Sequence, residues 1–130
     1  WVSNTPGVRM VEYDTRDQCN FQYIVLEVDE REAGISRDSL LAILHKENVV
    51  ARRYFYPGCH RMEPYRSYIP NAGLLLPETE ALCERVLVLP GGTAVGDDEI
   101  EGICDVLRVA LENPREVTQR LTRNGSFRTQ

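Results

Sequence analysis

Residues 21–29, FQYIVLEVD, constrain the fold more than any other stretch. The run is rich in β-branched and aromatic residues, and Ile24, Leu26 and Val28 share one face of an extended chain. It predicts a strand with one buried side. A turn over residues 30–34 follows, and then a helix over residues 37–47. Ser36 is a natural N-cap for that helix, Asp38 suits its positive end, and Ile35 can staple onto Leu40. Leu40, Leu41, Ile43 and Leu44 supply a buried stripe. A half-apolar strand feeding an amphipathic helix must bury both faces, which calls for a layered domain.

The same reading extends along the chain. Residues 8–13 form a possible short strand. Residues 49–56 read as a second strand, closed by Pro57-Gly58. Residues 60–70 are irregular, and Pro77 opens a short helix. Residues 86–89 are a third short strand, stopped by Pro90-Gly91-Gly92. In the last helix Asp97 is the expected cap, and Ile100, Ile103, Cys104, Leu107 and Leu111 keep helical spacing until Asn113-Pro114. Residues 114–130 are polar with little periodicity and are expected to fray. The division is a linker over 1–7, a small α+β domain over 8–113 and a polar tail over 114–130. The expected fold is a small α+β sandwich, a short and mostly antiparallel sheet covered by helices on one face.

Composition excludes several functions. The net charge of −5 and a pI near 5.1 oppose attraction of the whole domain to nucleic acid or an anionic membrane. No run approaches the roughly 20 apolar residues of a membrane span. There is no basic, apolar leader, so a cytoplasmic protein is expected. Cys19, Cys59, Cys83 and Cys104 form no C-x-x-C pair, which argues against a zinc site, and Cys83 and Cys104 read as buried small hydrophobes. The chain opens on Trp1 without a methionine, as a piece of a longer protein would.

The unusual stretch is residues 52–68, RRYFYPGCHRMEPYRSY. Guanidinium groups match phosphate and carboxylate oxygens bidentately, and tyrosine hydroxyls can orient a sugar or a phosphate. Arg52, Arg53, Arg61 and Arg66 stand among Tyr54, Phe55, Tyr56, Tyr65 and Tyr68, with His60 at the centre. That suits an anionic ligand. The plainer alternative is tyrosines packed in the sandwich with arginines reaching solvent. Cys59 beside His60 could suggest a thiol–imidazole pair, although sequence neighbours rarely form one. His45 reads as a helix-face residue, residues 90–93 as a turn, and Asp97-Asp98-Glu99 as helix capping. The chain has one lysine, Lys46, in an exposed pattern on the first long helix. A Schiff-base lysine needs a desolvated pocket, and nothing near Lys46 suggests one.

Taken in order, residues 20–26, 34–40 and 48–57 resemble the C-terminal domain of the DegT/DnrJ/StrS family of sugar aminotransferases. The likeness continues through His60-Arg61-Met62-Glu63-Pro64-Tyr65-Arg66, residues 77–80, residues 86–90 and Gly92-Thr93. Many members carry Pro-Leu-His where this chain has Gly58-Cys59-His60, which keeps the histidine and changes its approach. The resemblance implies a pyridoxal-phosphate-dependent enzyme of fold type I, working as a homodimer. Its large N-terminal domain would hold the phosphate cup and the lysine, and the cofactor would supply the carbanion chemistry. The implied reaction moves an amino group, commonly from glutamate, onto a keto sugar carried on a nucleoside diphosphate. No cofactor and no catalytic residue are expected on this chain alone. By the same analogy Tyr54, Tyr56 and His60 lie near the nucleotide sugar, and Arg53 or Arg61 near phosphate or the donor carboxylate.

Two other readings stand beside this one. A freestanding module could hold an anion, a nucleotide or single-stranded RNA through the Arg and Tyr cluster, although net acidity opposes RNA. A noncatalytic regulator could descend from the aminotransferase fold.

Overall fold

The computed structural model describes residues 2–123 except Thr15, Cys19, Phe21 and Ala94, and omits the side chain of Ser3. Three strands, β1 (Val8–Met10), β2 (Ile24–Val28) and β3 (Val86–Leu89), form an antiparallel sheet in the order β1-β2-β3. Val8 pairs with Val28, Leu26 with Leu87 and Ile24 with Leu89. Period-two alternation therefore gathers Val8, Leu26, Val28, Leu87 and Leu89 on one face. They form the core with residues of two helices, Leu40 and Leu44 of α2 (Arg37–Lys46) and Ile103 and Leu107 of α6 (Asp97–Glu112). The first turn of this layer is α1 (Glu30–Ala33), closed by Gly34 at φ 70°. The sandwich is the small α+β fold that the sequence predicts, an antiparallel sheet packed against helices.

Local chemistry accounts for the helix ends. The Ser36 hydroxyl accepts from the Ser39 N–H at 3.2 Å, as the sequence predicts. At α6 the cap is displaced by one residue. Gly96 holds the cap position, its N–H donates to Glu99 at 2.9 Å, and Asp97 lies in the first turn. There its charge still favours the positive end of the helix.

Two segments depart from expectation. Residues 49–56 form no strand; a single bridge joins Arg52 to Val88, with N–H to O distances of 2.9 and 2.8 Å. The chain bends on both sides of that bridge. The Ala51 N–H donates back to Val49 O, and the Tyr56 N–H to Arg53 O. Beyond the polar boundary at Asn113, residues 114–123 form α7 (Pro114–Arg123) instead of a fraying tail. Leu121 is buried, Val117 lies one turn before it, and Arg120 pairs with Glu116. Two apolar positions one turn apart seat this helix against α2 and α6. Residues 124–130 lie outside the described residues.

Between the bridge and β3 the chain makes a 3₁₀ turn (Cys59–Arg61) and three helices, α3 (Tyr65–Tyr68), α4 (Ala72–Leu75) and α5 (Pro77–Arg85). Cys83 and Cys104 are partly exposed where full burial was expected, and Cys19 is not described. Among the described residues no helix is long and apolar enough to cross a membrane.

Candidate functional site

The bridge at Arg52 hangs the aromatic and basic segment on the outer edge of β3. Its residues separate into three groups. In the first, the Arg52 guanidinium lies over the Tyr54 ring, 5.9 Å from its centre, and Nη1 donates to the Tyr54 hydroxyl at 3.4 Å. The Tyr54 ring also meets Tyr23 at 5.7 Å and Phe55, edge to face, at 4.9 Å.

The second group is built on Tyr56, whose ring is flanked by two guanidiniums, Arg53 at 4.8 Å and Arg37 at 5.5 Å. Such stacking uses the negative face of the ring. Arg37 is 3% exposed, the one fully buried charged side chain among the described residues. A buried cation is costly unless its donors are satisfied. Arg37 meets that condition: Nη1 donates to Val86 O at 2.7 Å and Cys83 O at 3.1 Å, and Nε donates to Asp38 at 2.8 Å. Asp38 also lies 3.8 Å from Arg53 and so joins both cations. An open cavity of about 900 Å³ is lined by Arg31, Ser36, Arg37, Asp38, Tyr56 and Arg85.

The third group centres on Glu80 of α5. His60 Nε2 donates to Glu80 Oε1, Arg61 Nε donates to the same oxygen at 2.6 Å, and Arg61 Nη2 binds Oε2. The two Arg61 hydrogen bonds, then that of His60, hold the Glu80 carboxyl down at about 2. Only 9% of the His60 side chain is exposed. Gly58, at φ 85°, lets the ring close in, because a Cβ there would lie 2.8 Å from His60 Cε1. His60, Arg61 and Glu80 line a second cleft of about 540 Å³ with Arg66, Asn71 and Leu74. The imidazole thus turns to a carboxylate twenty residues away. The Cys83 thiol donates to Phe55 O at 3.3 Å, and burial pushes it up.

The five residues singled out in the sequence do not converge on one point. Arg53 and Tyr56 meet directly, His60 and Arg61 share Glu80, and Tyr54 stands with Arg52 and Tyr23. Arg37 and Glu80 escape a reading by residue type. One signal for Arg37 was available, since a cation in the first turn opposes the helix dipole and needs partners elsewhere. Glu80 gives no local signal, because its partners are far along the chain.

Comparisons with known proteins agree with this architecture. Residues 2–108 match the DegT/DnrJ/EryC1/StrS aminotransferase family. The chain is 28% identical over 106 residues to a dTDP-4-amino-4,6-dideoxy-D-glucose transaminase of Escherichia coli, covering 82% of this chain and 28% of that protein. A protein of the same description from Shigella dysenteriae is 31% identical over 109 residues, with the same shares covered. The crystal structure of DesI in the presence of its TDP-sugar product matches with a TM-score of 0.79 at 43% identity, over 93% of this chain and 30% of that one. The chain spans less than a third of the length of these relatives. With residues 2–108, well over half of its length, inside the family's pattern, the chain belongs to the DegT/DnrJ/EryC1/StrS aminotransferase family.

Proposed function

We propose that this chain is the small domain of a pyridoxal-phosphate-dependent enzyme that moves an amino group from glutamate onto a keto sugar carried on a nucleoside diphosphate. The observation that carries the reading is the 43% identity, over 93% of the chain, to a protein solved with a TDP-sugar product. The geometry is compatible with it. Tyr54 and Tyr56 offer hydroxyls beside arginines, and Arg53 lies 4.8 Å from the Tyr56 ring centre with a fifth of its side chain exposed. In this reading Tyr54, Tyr56 and Arg53 orient the nucleotide sugar, and His60 and Arg61 shape the wall beside them.

The residues described do not themselves fit pyridoxal phosphate. Lys46, the only lysine in the sequence, is exposed on the last turn of α2. The reading therefore assigns the lysine to sequence outside residues 1–130, in a large domain that also closes over this one. Tyr68, Leu74 and Leu75 are 77%, 83% and 73% exposed. We assign their cover to that domain and to a second subunit. The test is transamination by the longer protein, read as 2-oxoglutarate released from glutamate across a panel of nucleoside-diphosphate keto sugars. Turnover on a member of the panel, lost in a Tyr56→Ala variant, is expected. Reduction of this chain with borohydride in the presence of the cofactor is expected to leave Lys46 unlabelled. Stoichiometric labelling of Lys46 with turnover would sink the assignment of the lysine.

A further inference from the structure

The Glu80 side chain bonds both His60 and Arg61, and both contacts span a long stretch of sequence. Its carboxylate can only accept hydrogen bonds, so the proton in the His60 contact sits on the imidazole at Nε2. Nδ1 is then the only nitrogen of the neutral ring able to accept. The Nδ1–Cε1 edge lies against Gly58, where an added Cβ would stand 3.1 Å from Nδ1. Both edges of the ring are thus occupied, one by Glu80 and one by the backbone of the loop. Arg61 closes the arrangement by binding both carboxylate oxygens. The loop's own main-chain bonds are few: Arg61 N–H to Gly58 O at 3.1 Å and Met62 N–H to Cys59 O at 3.0 Å.

We infer that Glu80 is a positioning residue, which pins the loop over residues 57–62 onto α5 by holding His60 with its proton on Nε2 and Arg61 across the same carboxylate. This rests on the proposed function only for its consequence. If residues 53–61 face a nucleotide sugar, His60 acts through the loop it anchors, and its Nε2 is unavailable as a base.

The sequence holds two histidines, so the signals are simple to assign. The experiment is ¹⁵N-resolved NMR of the full chain at about pH 8, where an ordinary imidazole is neutral. Wild type is expected to show a slowly exchanging Nε2–H on His60 and a slowly exchanging Nε–H on Arg61. Glu80→Ala is expected to lose both, and to speed amide exchange of Arg61 and Met62 roughly tenfold, the effect of one charge-assisted hydrogen bond lost. Amides of β2 and α6 should not move. His60 protonated at Nδ1, or unchanged signals in Glu80→Ala, would overturn the assignment. Should Glu80→Ala unfold, Glu80→Gln decides: faster Arg61 Nε–H exchange supports the inference, and wild-type exchange refutes it. These readouts need no cofactor or sugar, so they fail separately from the proposed activity.

Discussion

Leu26, Leu44, Leu87 and Leu107 are at most 2% exposed and belong to one apolar cluster, whereas between residues 52 and 76 Ala72 is the only buried apolar side chain. The layered half of the molecule is held by area removed from water, a force without direction. The half built on the aromatic and basic segment is held by directed bonds, from Arg37 to two carbonyls and from His60 and Arg61 to one carboxylate. The two halves should therefore fail differently. Substitutions in the first should cost global stability. Substitutions in the second should cost the position of particular side chains.

The largest effect belongs to the layer. Leu44→Ala should destabilise by about 2–5 kcal/mol, measured by urea denaturation, because a fully buried leucine leaves a cavity. Arg37→Ala comes next and tests where the halves meet. It strips the donors from Cys83 O and Val86 O and should cost about 2–3 kcal/mol in the same assay. A loss near that of an exposed arginine would mean that water replaces the guanidinium.

The third prediction isolates the directed half through pH. Glu80 has its carboxyl held at about 2 in the folded chain, below its ordinary 4.5. The depressed value means that its contribution is complete above 4.5 and is lost as pH falls through 2. The stability difference between wild type and Glu80→Gln should be flat above pH 4.5 and shrink toward pH 2. A difference independent of pH would show that the charge is not what holds the loop. The smallest effect is on the surface: Arg120→Ala removes an exposed pair with Glu116 on α7 and should cost about 0.3–0.5 kcal/mol.

The same contrast explains what could be read in the sequence. Period-two and helical spacing are local, so α2, β3 and α6 were visible to within a residue, and β2 was visible although it begins at Ile24, three residues later than its composition suggests. Residues 49–56 have strand composition, yet turns beside Ala51 and Tyr56 leave only the Arg52 bridge. Helix α7 was missed because only Val117 and Leu121 mark its inner face, too few to register as a period. In the candidate site, residue types singled out residues 52–68 as unusual. They could not show that Glu80 draws in His60 and Arg61, nor that Arg37 packs behind Tyr56. Those partners are fixed by tertiary geometry.

Strands β2 and β3 are neighbours in the sheet although residues 29–85 run between them. During synthesis β2 must wait for that whole excursion to leave the ribosome before its second edge finds a partner. Closing so long a loop is entropically expensive, and folds dominated by such distant pairings form slowly. Through that interval Leu26 and Val28 stand on a strand with one bare side, the state in which a nascent chain is most exposed to wrong pairing or to capture by a chaperone.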